Sequence, residues 1–196
     1  MLAMRACVVA AISVMLAGTG ATASAQTVSR FDDGSFEHPR ATVNGFTDLT
    51  AGQDIGPWHV TAGSVDLIGA GFWQAAEGDQ SIDLNGSNAG EVTQTFTTLP
   101  GATYTVTYAL AGNPQSTPVL KSGSVLIDGQ NFQDFSFDTT GKTRTNMGYV
   151  NRQFTFQAAN PSTAISFAST TPSAYGPVID DVRIERCAPC PPCGNG

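Results

Sequence analysis

Between Arg30 and Arg186 the apolar residues recur at every second position in short runs, and nowhere do they hold the three-and-four spacing of a helical face. The run Thr103-Tyr104-Thr105-Val106-Thr107-Tyr108 is the clearest. Tyr104, Val106 and Tyr108 fall on one side and the threonines on the other, as in a strand with one dry and one wet face. Enrichment in Thr, Val, Phe and Tyr predicts further strands over 35–37, 58–60, 64–68, 81–84, 91–97, 124–127, 132–137, 153–157, 164–167 and 178–184. Leu99-Pro100-Gly101-Ala102, Asp128-Gly129 and Asn160-Pro161 supply turns between them. Each short strand carries a half-apolar face that a second sheet must cover. This predicts an all-β antiparallel sandwich, with a jelly roll as the preferred arrangement.

The two ends depart from this pattern. Met1 to Ala25 carry one charge, Arg5, then the apolar run Ala6 to Ala17, then small residues closing on Ala23-Ser24-Ala25. The segment 1–25 reads as a secretory signal peptide cleaved before Gln26, since its apolar core of about a dozen residues falls short of the roughly 20 that span a bilayer. The mature chain is expected to be secreted, periplasmic or extracellular, with no transmembrane segment, and residues 26–186 to form one domain with a single core. Residues 187–196 form a tail that holds Cys187, Cys190 and Cys193 among prolines. A polyproline helix would place these thiols on one face with neighbours about 9 Å apart, beyond the roughly 7 Å that a disulfide tolerates. Their odd number leaves one thiol for another chain, so a thiol-linked protein partner is one expectation and a tail without a dedicated partner is the other.

Charge narrows the partners. Sixteen acidic residues against nine basic ones give a formal charge of −7. Such a surface repels phosphate backbones and anionic headgroups, which disfavours nucleic acid and leaves neutral molecules or cations. Only His38 and His59 could supply an imidazole, and neither lies in a nucleophile or metal motif, so the chain is expected not to be an enzyme. A glycosidase pair needs only two acids at a set distance, which spacing along the chain does not measure.

Two acidic patches stand out: Asp32-Asp33-Gly34-Ser35-Phe36-Glu37 on the opening strand and Asp180-Asp181 on the closing one. By period two Asp180 shares a face with Val182 and Ile184, where a carboxylate needs a partner. A structural Ca²⁺ would accept Glu37 and Asp180, with Asp181 and backbone carbonyls such as that of Gly34 completing the shell. Equally, Asp180 sits at the strand's frayed start, hydrated or capping backbone amides. Aromatic residues are the other clue, because a planar ring stacks on the apolar face of a sugar while amides bond its hydroxyls. Trp73, beside Phe72 in a glycine-flanked loop, and Tyr175, beside Gly176-Pro177, are the rings; Asn85 and Asn113 are the amides, although both also suit chain turns. Trp58 reads as core.

Gly-Ser-Phe-Glu at 34–37, Gly-Pro-Trp-His-Val at 56–60, Gly-Ser-Val-Asp-Leu-Ile at 63–68, Glu-Gly-Asp-Gln-Ser-Ile-Asp-Leu-Asn-Gly at 77–86, Leu-Ala-Gly-Asn-Pro at 110–114 and Pro-Val-Ile-Asp-Asp-Val at 177–182 resemble the choice-of-anchor C family, in order and over nearly the whole domain. That bacterial group is similar to the plant cell-wall proteins of domain of unknown function 642. The resemblance implies a galactose-binding-like jelly roll related to carbohydrate-binding modules, with a structural Ca²⁺ near the Phe-Glu and Asp-Asp motifs. It implies a non-catalytic role on a polysaccharide or cell-wall glycan at the cell envelope or matrix. A structural or adhesive envelope protein with protein partners is the alternative.

Overall fold

The structure, a computed structural model, describes residues 31–187. The expected signal peptide at 1–25 and the thiols of Cys190 and Cys193 lie outside the described residues. Among the described residues twelve strands divide between two six-stranded antiparallel sheets. The front sheet runs β1 (Phe46–Thr50), β4 (Ser64–Ile68), β5 (Ser81–Asp83), β12 (Pro177–Arg186), β7 (Thr103–Gly112) and β10 (Val150–Gln157). The back sheet runs β2 (Asp54–Ile55), β3 (Trp58–Ala62), β6 (Glu91–Thr97), β11 (Ser162–Ser169), β8 (Leu120–Ile127) and β9 (Gln130–Asp138). Among the described residues there is no helix, and hence none long and apolar enough to cross a membrane.

Alternation explains the core. Tyr104, Val106, Tyr108 and Leu110 of β7 are all buried, and Tyr108 meets Phe167 of β11 edge-on at 5.0 Å between ring centres, joining the sheets. Trp58 is fully buried at one end, against Phe31, Phe36 and Phe167. Asp128 and Gly129 both take positive φ in the hairpin between β8 and β9. The Pro100-Gly101 turn instead carries the chain from the back sheet to the front one.

Two sequence expectations are corrected. Residues 35–37 do not form a strand: the chain turns over 32–35, Phe36 has φ of 57°, and its amide closes back onto the Asp33 carbonyl at 3.1 Å. The Phe36 ring plugs the core instead. The second correction concerns Asp180. A bulge between Asp180 and Arg183, with Asp181 at φ 47°, breaks the two-residue period of β12. Ile184 pairs with Val106 on the core side, whereas Asp180 pairs with Ala109, two positions from the Val178–Asp83 pair and on the opposite, outward face.

That outward face is partly roofed. Gln80 clasps the segment 36–41 through bonds to the Phe36 and Pro39 carbonyls and the Ala41 amide. The loop from Gly69 to Gln80 is tied to the one around Arg144 by Gln74 N–H to the Arg144 carbonyl at 2.8 Å. The roof leaves an opening over β1, β4 and β5.

Candidate functional site

Register assembles the site. Asp48 of β1 pairs with Asp66 of β4, and Asp66 with Asp83 of β5, so three carboxylates stand in a row across adjacent strands. One step along, Phe46 pairs with Ile68, and Ile68 with Ser81. The acids lie at increasing depth, with Asp48 exposed, Asp66 half-buried and Asp83 fully buried.

Asp83 is an anchor. Its Oδ1 accepts N–H groups of Asn85 and Gly176 at 3.0 Å each, and its Oδ2 accepts the Asn113 amide at 2.7 Å. Burial pushes its pKa up from the ordinary 3.8 to about 7 against the pull of these three donors. Asn85 extends the anchor by donating to the Thr171 and Ser173 carbonyls, which fixes the loop carrying Tyr175. A Cβ on Gly176 would stand 2.1 Å from Asn85 Oδ1, so only glycine lets this loop close on the anchor. Asp66 is different. Its Oδ1 is buried without a hydrogen-bond partner, and burial, with Asp48 adding to the effect, pushes its pKa from 3.8 to about 7.

Over this row opens a pocket of about 340 Å³, bordered by Phe46, Phe72 and Tyr175 with Ile68, and floored by Asp48, Asp66, Asn113 and Gln115. Phe46 and Phe72 meet edge-on at 5.6 Å. The Arg144 guanidinium lies 4.1 Å from the Phe72 ring centre and donates to Gln115 Oε1 at 2.8 Å, a cation held at the rim. Lys121 is fully buried, donates to the Ser116 carbonyl at 2.9 Å and lies 5.9 Å from the Tyr175 ring centre; burial lowers its pKa while Asp83 opposes the fall.

Of the residues expected to bind ligand, Tyr175 and Asn113 line this pocket. Asn85 does not; it holds the Tyr175 loop from beneath. Trp73 is 6% exposed, its indole N–H donating to Ser81 Oγ at 2.8 Å, so the ring that faces the pocket is its neighbour Phe72. Phe46 and Asp48 went unread because 46–50 was not assigned to a strand, and Asp66 because only the pairing of β1 with β4 exposes its company.

The residues of the expected calcium set are engaged by protein groups. Glu37 Oε1 accepts the amides of Asp79 and Gln80 at 2.8 Å each, and its Oε2 lies 3.2 Å from Arg40. Asp180 Oδ2 accepts the amides of Ala76 and Glu77, and Oδ1 that of Asp181. Asp181 pairs with Arg183 at 2.6 Å. The Gly34 carbonyl accepts Val182 N–H at 2.8 Å. The two acids thus grip the same loop, 76–80, through backbone N–H donors. Among the described residues no three His, Cys, Asp or Glu groups converge as a metal site. Cys187 is exposed, with its sulfur 3.4 Å from Thr105 Oγ1.

A family model described as Protein of unknown function (DUF642) matches residues 29–185. Halomucin of Haloquadratum walsbyi is 30% identical over 186 residues, taking in 90% of this chain; the chain spans 2% of the length of that relative. Among solved structures, a family 35 carbohydrate binding module from Clostridium thermocellum matches 70% of this chain and 97% of its own at 11% identity and a TM-score of 0.48. The CBM22-1 xylan-binding domain of Paenibacillus barcinonensis Xyn10C matches 83% of this chain and 97% of its own at 18% identity and a TM-score of 0.48.

Proposed function

The chain belongs to the DUF642 family, and from that premise we propose that it is a non-catalytic carbohydrate-binding domain, exported to the envelope or beyond, that takes a sugar ring in the pocket over Asp48 and Asp66. The observation that carries this reading is the pairing of aromatic walls with a polar floor. Phe46, Phe72 and Tyr175 offer flat apolar surface, and Asp48, Asp66, Asn113 and Gln115 line the same small opening. A pyranose has the complementary build, with apolar C–H faces and an equatorial belt of hydroxyls, and each hydroxyl can donate to a carboxylate. The volume of about 340 Å³ sits at the small end of the roughly 300 to 1,000 Å³ typical of small-molecule sites, which suits one end or one branch of a glycan.

Binding follows from preorganisation. Asn113 is oriented by Asp83 and accepts the Gln115 amide at 3.0 Å, so it enters the complex with little freedom left to lose. The Tyr175 loop is held by Asn85, Asp83 and the Ser173 hydroxyl, which donates to the Tyr175 carbonyl. Neither histidine lines the opening, and the one lining hydroxyl bonded to a carboxylate, Ser87 to Asp48 at 3.2 Å, has no imidazole behind it, which supports a binding role.

The test is a glycan array followed by calorimetry on wild-type protein and Tyr175→Ala. Binding of a plant or bacterial glycan at millimolar or better affinity, weakened by the substitution at unchanged melting temperature, supports the reading. No binding to any glycan removes it.

A further inference from the structure

We propose that the sugar this pocket selects carries a free ammonium group, an amino sugar seated between Asp48 and Asp66; this rests on the carbohydrate-binding reading and narrows it to a ligand class. Partners in antiparallel register place their Cβ atoms about 4.5–5.5 Å apart, so a small donor group set above the Asp48–Asp66 pair reaches both carboxyls. Asp48 spends one oxygen on the Ser87 hydroxyl at 3.2 Å. Asp66 Oδ1 has no protein partner at all. An acceptor buried without a donor is costly unless a ligand completes it, and an ammonium brings three donors with a charge. Charge-assisted bonds of this type are roughly twice as strong as those a neutral hydroxyl makes.

The walls favour the same group. Phe46, Phe72 and Tyr175 line the same opening as the acids, and aromatic rings attract cations. Phe72 already has the Arg144 guanidinium 4.1 Å from its centre, and Tyr175 has the Lys121 ammonium at 5.9 Å. Lys121 offsets part of the charge of Asp83, whereas among the described residues neither Asp48 nor Asp66 has a salt-bridge partner. Arg144 is bonded to Gln115, and Lys121 donates to the Ser116 carbonyl. Asp83 lies behind Asp66 in the row and adds to the negative field. A uronate or sulfated sugar would press its own charge against Asp48 and Asp66. An N-acetylated sugar would lose the ammonium's charge and two of its donors.

The experiment is calorimetry of the full mature chain with glucosamine oligomers, the matching N-acetylglucosamine oligomers and galacturonate oligomers, at 50 and 500 mM salt, on wild type and Asp66→Asn. The expected result is glucosamine oligomers bound at least tenfold tighter than the acetylated ones, no uronate binding, and a preference that shrinks with salt. Asp66→Asn removes the preference while the domain stays folded, with a melting temperature no lower than that of wild type. Acetylated, neutral or uronate oligomers bound as tightly as glucosamine overturn the amino-sugar assignment and leave the pocket reading standing. No binding of any of the three overturns the amino-sugar assignment, and the glycan array then decides the pocket reading.

Discussion

At the scale of single residues, Phe72 and Trp73 illustrate how neighbours in one loop take different work. The Trp73 indole is buried and bonded to Ser81. Replacing it with Phe strips a buried hydroxyl of its donor, and is expected to lower stability by about 1–3 kcal/mol while sugar affinity stays within about twofold. Phe72→Ala is expected to do the reverse, lowering sugar affinity about tenfold, the loss of one stacking face, with little change in unfolding. Urea titration and calorimetry on the two variants read both quantities. Glu37 makes a second contrast. Because its Oε1 serves two backbone amides and its Oε2 only an exposed arginine, Glu37→Gln keeps the amide contacts and is expected to cost less than about 1 kcal/mol, whereas Glu37→Ala orphans them and costs about 1–3 kcal/mol. EDTA or added Ca²⁺ is expected to leave the melting temperature of all three proteins where it was. A calcium-dependent rise that Glu37→Gln abolishes would restore the metal-ligand role.

At the scale of elements, one bulge in β12 decides which face Asp180 occupies. The segment 32–36 is built around it: Gly34 lies so close that a Cβ there would stand 2.0 Å from the Val182 carbonyl oxygen. Gly34→Ala must therefore move either the turn or the bulge, with an expected loss of about 1–3 kcal/mol or more in urea unfolding. A loss below about 0.5 kcal/mol would mean that the contact is soft. The bulge also marks the limit of what the chain's pattern reveals. Strands β4 and β6 are readable to the residue, and β7 and β12 nearly so, because each alternates against one core. Val178 to Ile184 carries apolar residues at 178 and 179 and again at 182 and 184, a pattern that does not say where the period slips, and only the pairing with β7 shows it. Phe36-Glu37 looks like strand, yet a positive φ at Phe36 turns the ring inward. Phe46 to Thr50 hides for the opposite reason, as an edge strand whose only buried residue is Leu49. Its absence from the reading took Phe46 and Asp48 with it, half of the pocket's mouth. Tyr175 and Asn113 are legible as a ring and an amide beside turn residues, although Asn113 also bonds Asp83 and the Gln115 amide, and the same signal at Asn85 marks a structural residue.

On the scale of the whole molecule, the outward face of the front sheet holds Asp66, Asp83 and Asp180, and burial is the largest influence on each, pushing all three from 3.8 to about 7. A carboxyl whose pKa is raised on folding binds more protons folded than unfolded, so its contribution is complete below about 3.8 and is lost as pH rises through about 7. The melting temperature is expected to fall between pH 5 and pH 8, the reverse of ordinary acid denaturation. Asp134 and Asp138 oppose this, since hydrogen bonds from Ser124 and Thr140 respectively hold their pKa values below the ordinary one, but both are exposed and their effect is small. Asp66→Asn is the decisive variant, because Asp66 Oδ1 has no partner to orphan. It should flatten the fall and raise the melting temperature at pH 8, where it removes repulsion with Asp48. A wild-type melting temperature that climbs steadily from pH 5 to pH 8 would show the three aspartates ionised at no cost. Ligand and proton then compete for the same carboxyl. An ammonium sugar stabilises the domain by binding ionised Asp66, so its lift in melting temperature should be larger at pH 7 than at pH 5, whereas a neutral sugar should give similar lifts at both.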